Sequence, residues 1–218
     1  MSGQPFRKQQ KNRLKRSPAR GSYDRETVFD ILDSGILCHV GYYIDDTPFV
    51  TPTCYWREDD QVYWHGAAAG TMLKHEKNGV PVCFTVSHLD GIVMARSAFH
   101  HSINYRSVMA FGNCEVVANP AEKNRQLERF MERVAPGRWA EVRPPSAREL
   151  RLTTVMRLQL DEVVAKTRAG SPIDDEADYA LPVWAGVLPI HTQPAAMVDD
   201  SRLAPGTRRP RRVNRRYQ

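Results

Sequence analysis

The sequence predicts a mainly β protein, an antiparallel barrel with peripheral helices. Three observations point there: six or seven runs rich in β-branched and aromatic residues, short turn-like breaks between them, and no alternation of strands with long helices. The missing alternation also disfavours a Rossmann-type parallel sheet.

Asp24 opens the first helix. It can cap the first amides of RETVFDILD, Val28, Ile31 and Leu32 fall on one face, and Gly35 stands where a helix usually stops. ILCHVGYY (36–43), FVTPTCYW (49–56) and QVYWH (61–65) follow as strands joined by short acidic turns, which makes a meander. Pro52 lacks an amide donor, so it belongs at an edge, a bulge or a ligand-facing position. GTMLKHEKNG (70–79) reads as a short helix and PVCFTVSHL (81–89) as a strand, after which Asp90-Gly91 is expected to turn a tight hairpin into IVMARS (92–97). A polar loop, 98–104, precedes a long strand, 105–118. AEKNRQLERFMERV (121–134) is amphipathic, with Leu127, Phe130, Met131 and Val134 on one side, and a short helical piece lies near 146–151. Residues 152–168 alternate as one half-buried strand would.

The formal charge of +6 divides unevenly. Residues 1–22 and 201–218 each hold seven basic residues and no acid; without those 14, the middle has 17 basic against 25 acidic residues. A compact nucleic-acid-binding domain is therefore disfavoured, and weak nucleic-acid contact is expected only through the tails. The organisation expected is a disordered basic tail (1–22), a folded domain (23–190) and a second disordered basic tail (191–218). Cys38, Cys54, Cys83 and Cys114 show no CxxC pair, so reduced thiols are expected rather than a structural metal. No apolar run spans a bilayer and no secretory leader is seen, which points to a cytoplasmic protein without a membrane role.

Candidate chemistry collects in three places. In YWHGAAAGTMLK a strand ends at His65, passes through Gly66 and Ala67, and opens a helix near Thr71, with Lys74 one turn on; small residues and free amides suit an anion. In SAFHHSINYRSVMAFG a polar loop delivers Tyr105 and Ser107 to one strand face and Arg106 to the other. The third is DYALPVWAGVLPI, an extended segment in which Trp184 can cover a pocket or anchor the tail.

With these stretches, RGSYDRETVFDILDSG (20–35), LDGIVMARSAFHHSINYRSVMAFG (89–112), APGRWAEVRPPSARELRLT (135–153) and SPIDDEADYALPVWAGVLPI (171–190), the chain resembles the pyridoxamine 5′-phosphate oxidase-like, flavin-nucleotide-binding split-barrel proteins, in their nitroimidazole-resistance branch. The resemblance implies a six-stranded antiparallel split β-barrel that forms a homodimer, with FMN at the subunit interface and a small-molecule substrate. It sets Thr53, Cys54 and Tyr55 along the flavin ring, His65, Gly66 and Ala67 at the ring or ribityl chain, and Thr71 and Lys74 near the phosphate. Tyr105, Ser107 and Trp184 would approach from the other subunit. An FMN-dependent oxidoreductase is the expected function, with His65 and then Tyr105 as acid/base or hydrogen-bonding groups. The alternative is a flavin- or haem-binding module without turnover. One departure stands out: relatives carry Ser, Arg or Lys where this chain has Ala67, Ala68 and Ala69, which weakens the hold on a mononucleotide phosphate.

Overall fold

The structure is a computed structural model that describes residues 4–76 and 79–210, with the side chains of Thr71, His75 and Glu76 left aside. Helix α1 (Arg25–Asp33) starts where the sequence requires: the Asp24 carboxylate accepts from the Thr27 amide, and Val28, Ile31 and Leu32 are buried. Each such side chain contributes about 1.5–3 kcal/mol of apolar burial, which ties the helix to the sheet. Ten strands follow one another: β1 (Gly21–Ser22), β2 (Leu37–Ile44), β3 (Thr47–Glu58), β4 (Gln61–Ala67), β5 (Pro81–Met94), β6 (Ser102–Asn113), β7 (Glu115–Val116), β8 (Thr153–Gln159), β9 (Glu162–Arg168) and β10 (Gly186–Pro189). Helices α2 (Thr71–Glu76), α3 (Pro120–Val134) and α4 (Ala147–Leu152) sit between them.

Every ladder is antiparallel, and the order is β1-β9-β6-β5-β2-β3-β4-β8-β7 with β10 added on β5. The path ends at β1 and β7, so the sheet is the open, split antiparallel barrel expected. The split has a local cause in β3. Residues 47–54 pair with β2, whereas 55–58 pair with β4, so β3 hands over from one partner to the other. Pro52 lies in the first half, opposite His39, and its missing amide costs no ladder bond on the side facing away from β2. Val40, Tyr55, Trp64, Phe84, Val108 and Met156 fill the interior. A second cluster, Trp56, Tyr63, Val117 and Val155 with Leu127 and Phe130, seats α3 on the outside.

Several expectations change. Asp90-Gly91 makes no hairpin: β5 runs through it, with a bulge between Leu89 and Gly91, and the chain reverses only after Met94. The Asp90 carboxylate takes two hydrogen bonds from Arg106, and Gly91 lets β10 approach, since a Cβ there would stand 3.0 Å from Val187. The alternation over 152–168 covers two strands. Leu160-Asp161 is a corner at which the chain passes from the side of β4 to the side of β6.

The N-terminal segment expected as a disordered tail is docked. Phe6 is 5% exposed within the core, and its amide donates to the Tyr23 carbonyl. Asn12 is buried and donates to the carbonyls of Arg7 and Val163. Arg25 lies over the Phe6 ring at 4.6 Å, and β1 pairs with β9. One aromatic anchor and one buried amide offset the ordering entropy that composition alone counted against this stretch. From 191 to 209 the chain is exposed and carries no strand or helix. No helix among the described residues is long and apolar enough to cross a membrane.

Candidate functional site

Beyond Tyr55↔Trp64, β3 and β4 separate, and His65, Gly66 and Ala67 pair only with β8. The Thr53 hydroxyl, which donates to the His65 carbonyl at 3.4 Å, is the link across the fork. This fork joins the predicted residues of β3 and β4, but alternation divides them. Cys54 is exposed on the outer face, whereas Tyr55 points inward, is 0% exposed and donates its hydroxyl to the Leu32 carbonyl. Burial pushes the Tyr55 phenol well above its ordinary value. Its side chain therefore packs in the core, so that at the fork this residue presents only its backbone.

His65 faces α3. Its ring centroid stands 4.8 Å from that of Phe130 and 5.8 Å from that of Trp56, and its Nδ1 is buried without a hydrogen bond among the described residues. Burial alone lowers its pKa below 6.5, because a charged imidazole cannot be solvated there. The unfolded chain thus takes up a proton as pH falls through 6.5 before the folded one does, so stability present above 6.5 is lost on acidification. In His65→Phe, the melting temperature should fall less on acidification through 6.5 than in the parent chain, as differential scanning calorimetry would show.

At the small-residue turn, the Ala68 amide donates to the Leu152 carbonyl and the Gly70 amide to the Ala67 carbonyl. These two bonds close the turn before α2 and take its amides out of reach of an anion. Gly66 packs close to Leu73, Ala67 and Lys74 are exposed, and the side chain of Thr71 lies outside the described residues.

Tyr105 and Ser107 share the outer face of β6, opposite Arg168 and Lys166 of β9, whereas Arg106 turns inward to Asp90 and Ser34, as alternation requires. The Asp90 carboxylate raises the pKa of Arg106 further, so its charge is fixed. Within one chain Tyr105 and His65 are not neighbours, because β5, β2 and β3 separate β6 from β4. Trp184 is 66% exposed and folds over Gly186, where a Cβ would meet its ring at 2.7 Å.

The sequence reading missed a gap in the sheet. β5 pairs with β2 over residues 83–85 and with β10 over 91–94, and the Ile190 amide donates to the Asp90 carbonyl, which leaves 86–89 without a ladder partner on that edge. The opening is a cavity of about 680 Å³, walled by Leu37 and His39 on one side, Leu89 beneath, and Ile190 and His191 on the other. His39 and His191 are exposed there without hydrogen bonds among the described residues, whereas the His88 Nε2 lies 3.0 Å from the Ile31 carbonyl. His39 and His191 are two of the seven histidines that the haem alternative offers as axial ligands, and no spacing rule singles them out, since they are 152 residues apart in the chain.

The profile of the pyridoxamine 5′-phosphate oxidase family matches residues 24–167. Among solved structures, a flavocytochrome from Azotobacter vinelandii is 43% identical over 93% of this chain and 94% of its own, with a TM-score of 0.90. A FAD and heme binding protein from Mycobacterium smegmatis is 34% identical over 88% of this chain and 94% of its own, with a TM-score of 0.85. A putative 5-nitroimidazole antibiotic resistance protein from Bacteroides thetaiotaomicron, 22% identical over 67% of this chain and 85% of its own with a TM-score of 0.57, shares the fold. No curated protein matches the chain. With the profile running from α1 into β9, well over half of the chain, the chain belongs to the pyridoxamine 5′-phosphate oxidase family.

Proposed function

We propose that this protein is a redox protein that binds a flavin and a haem as a homodimer. The observation that carries the haem is the gap beside β5, where two imidazoles without a hydrogen bond among the described residues, His39 and His191, line a cavity that also holds apolar side chains. Imidazole is a common axial ligand, and Ile36, Leu37, Leu89 and Ile190 give the cavity an apolar surface for a porphyrin face, beside the Arg106–Asp90 pair, whose guanidinium can meet a propionate. The similarity to proteins described as a flavocytochrome and as FAD and heme binding supports this reading, and at 43% and 34% identity more strongly than the 22% relative supports a nitroimidazole-resistance role.

The flavin is proposed at the β3/β4 fork, beside Thr53, Cys54 and Gly66. Cys54 belongs to an outer face that also carries Leu37, Tyr43, Val50, Leu89, Ile92, Ile103 and Leu188, all at least 39% exposed. So broad an apolar sheet face marks an interface, and a second copy laid on it would bring Tyr105 and Ser107 of one chain toward the fork of the other. Bound there, the flavin supplies two-electron chemistry and the haem one-electron chemistry. The chain's own groups position them: Thr53 holds the fork, and His39 and His191 offer lone pairs at the gap.

Titrating the full chain with haem tests the reading. A Soret band should appear, and either His39→Ala or His191→Ala should weaken haem binding and shift that band, with flavin uptake unchanged. Haem bound identically by both variants would exclude this cavity.

A further inference from the structure

A second cavity, of about 510 Å³, lies at the other edge of the sheet, where the docked N-terminal segment meets β9 and the β5–β6 turn. Arg16 and Arg20 line it from the segment, Lys166 and Arg168 from β9, and His100 from the turn, with Phe99 at the rim. The balance of charge here is unusual. His100 has a carboxylate close by, Asp175 at 3.6 Å, and Arg168 donates to the neutral Asn104 amide oxygen. Arg16, Arg20 and Lys166 have no acidic partner among the described residues, although Arg residues elsewhere in this protein, such as 25, 57, 96, 106, 125 and 157, are paired with carboxylates. Like charges gathered round one concavity repel one another, and an anion placed among them turns that repulsion into attraction. Arginine forks favour phosphate oxygens because two N–H groups can bind one phosphate side by side. Phe99, 89% exposed at the mouth, offers a flat face on which a purine can stack.

We infer that this cavity binds the diphosphate group of a dinucleotide, with the adenine end toward Phe99. Lys166 and Arg168 stand across the β6–β9 ladder from Ser107 and Tyr105, so the cavity adjoins the two residues that the proposed dimer sets beside the flavin. The assignment of the diphosphate to the flavin rests on that reading and makes the flavin a dinucleotide, FAD, rather than the FMN expected from the sequence. It agrees with the turn at 67–70, where the Ala68 and Gly70 amides are occupied and no side chain carries a charge for a terminal phosphate. The diphosphate itself can come from a bound flavin dinucleotide or from a free adenine nucleotide, and the test separates the two.

Flavin-free full-length protein is titrated with FAD, FMN, ADP and inorganic pyrophosphate by calorimetry, for the parent chain and for Arg20→Gln, Lys166→Gln and the double variant. Pyrophosphate and ADP should bind, weaken as salt rises, and lose about tenfold or more in affinity in each variant, as removal of a charge-assisted contact does. FAD should bind more tightly than FMN, and only FAD should weaken in the variants. Arg20→Lys should recover part of the loss, and unchanged melting temperatures show that the variants are folded. ADP that competes with FAD assigns the site to the flavin; ADP that binds FAD-loaded protein with the same dependence on Arg20 and Lys166 keeps the diphosphate site and gives it to a free nucleotide. Absence of pyrophosphate and ADP binding, or binding indifferent to both substitutions, overturns the inference. If neither flavin binds while pyrophosphate does, the flavin reading fails and the cavity stands.

Discussion

Trp56→Ala should lower the stability of the protein by about 3–5 kcal/mol, read from the midpoint of urea unfolding. Trp56 is 1% exposed and stacks on Tyr63 at 5.7 Å between ring centroids, with Phe130 of α3 at 5.4 Å. Its indole N–H donates to the Oε1 of Gln126, a residue 0% exposed, and the Gln126 amide donates onward to Glu58. The substitution therefore opens a cavity and strands a buried acceptor at once, two costs that act in the same direction. It also strips one wall from the His65 ring, so the depressed pKa of that imidazole should recover toward 6.5, which NMR titration would follow. Trp56→Phe keeps most of the packing and should lose less, with the Gln126 acceptor as the remaining deficit.

Asp174→Ala is expected to cost about 3 kcal/mol, at the lower end for a broken buried pair because Arg96 keeps some exposure. The Asp174 carboxylate is buried and accepts from the Arg96 amide, the Ser97 amide and the Arg96 guanidinium at 3.0, 3.4 and 3.1 Å. Arg96 also lies over the Tyr179 ring at 4.9 Å. Burial raises the carboxyl pKa, but these three donors more than offset it, and the net position is below 3.8. A carboxylate depressed in the fold stabilises above 3.8, and that stability is lost as pH falls through its folded value; the alanine variant should lack this acid dependence. Because the same contacts fix residues 171–180 against the β5–β6 turn, amide exchange in that segment should accelerate more than elsewhere. Asp174→Asn keeps one acceptor and should be milder.

Much of the fold was legible because local chemistry and tertiary need agree. Asp24 caps α1, Asn119 caps α3 through the amides of Ala121 and Glu122, and the apolar faces of both helices are the faces that pack. Where they disagree, the sequence misled. Asp90-Gly91 has the composition of a turn, but Arg106 neutralises the Asp and β10 needs the Gly, so the pair serves as a bulge. The pattern over 152–168 hides the corner at Leu160-Asp161 because both strands are apolar, and each buries three consecutive residues, 154–156 and 163–165, while pairing with different neighbours. Composition averages hid Phe6 within a basic stretch. The candidate site was less legible still. The fork at Thr53 and His65 could be approached through the family resemblance, but the imidazoles of His39 and His191 and the cations Arg16, Arg20, Lys166 and Arg168 come together only through the sheet order, and no spacing in the chain announces them.

The central claim, that one chain carries both a flavin and a haem, is tested most directly by the absorption spectrum of the purified full-length protein together with mass identification of what it releases on denaturation. The account predicts flavin absorbance and a Soret band in the same dimeric species, with FAD as the flavin released. A monomer that takes up neither flavin nor haem when both are supplied would contradict it.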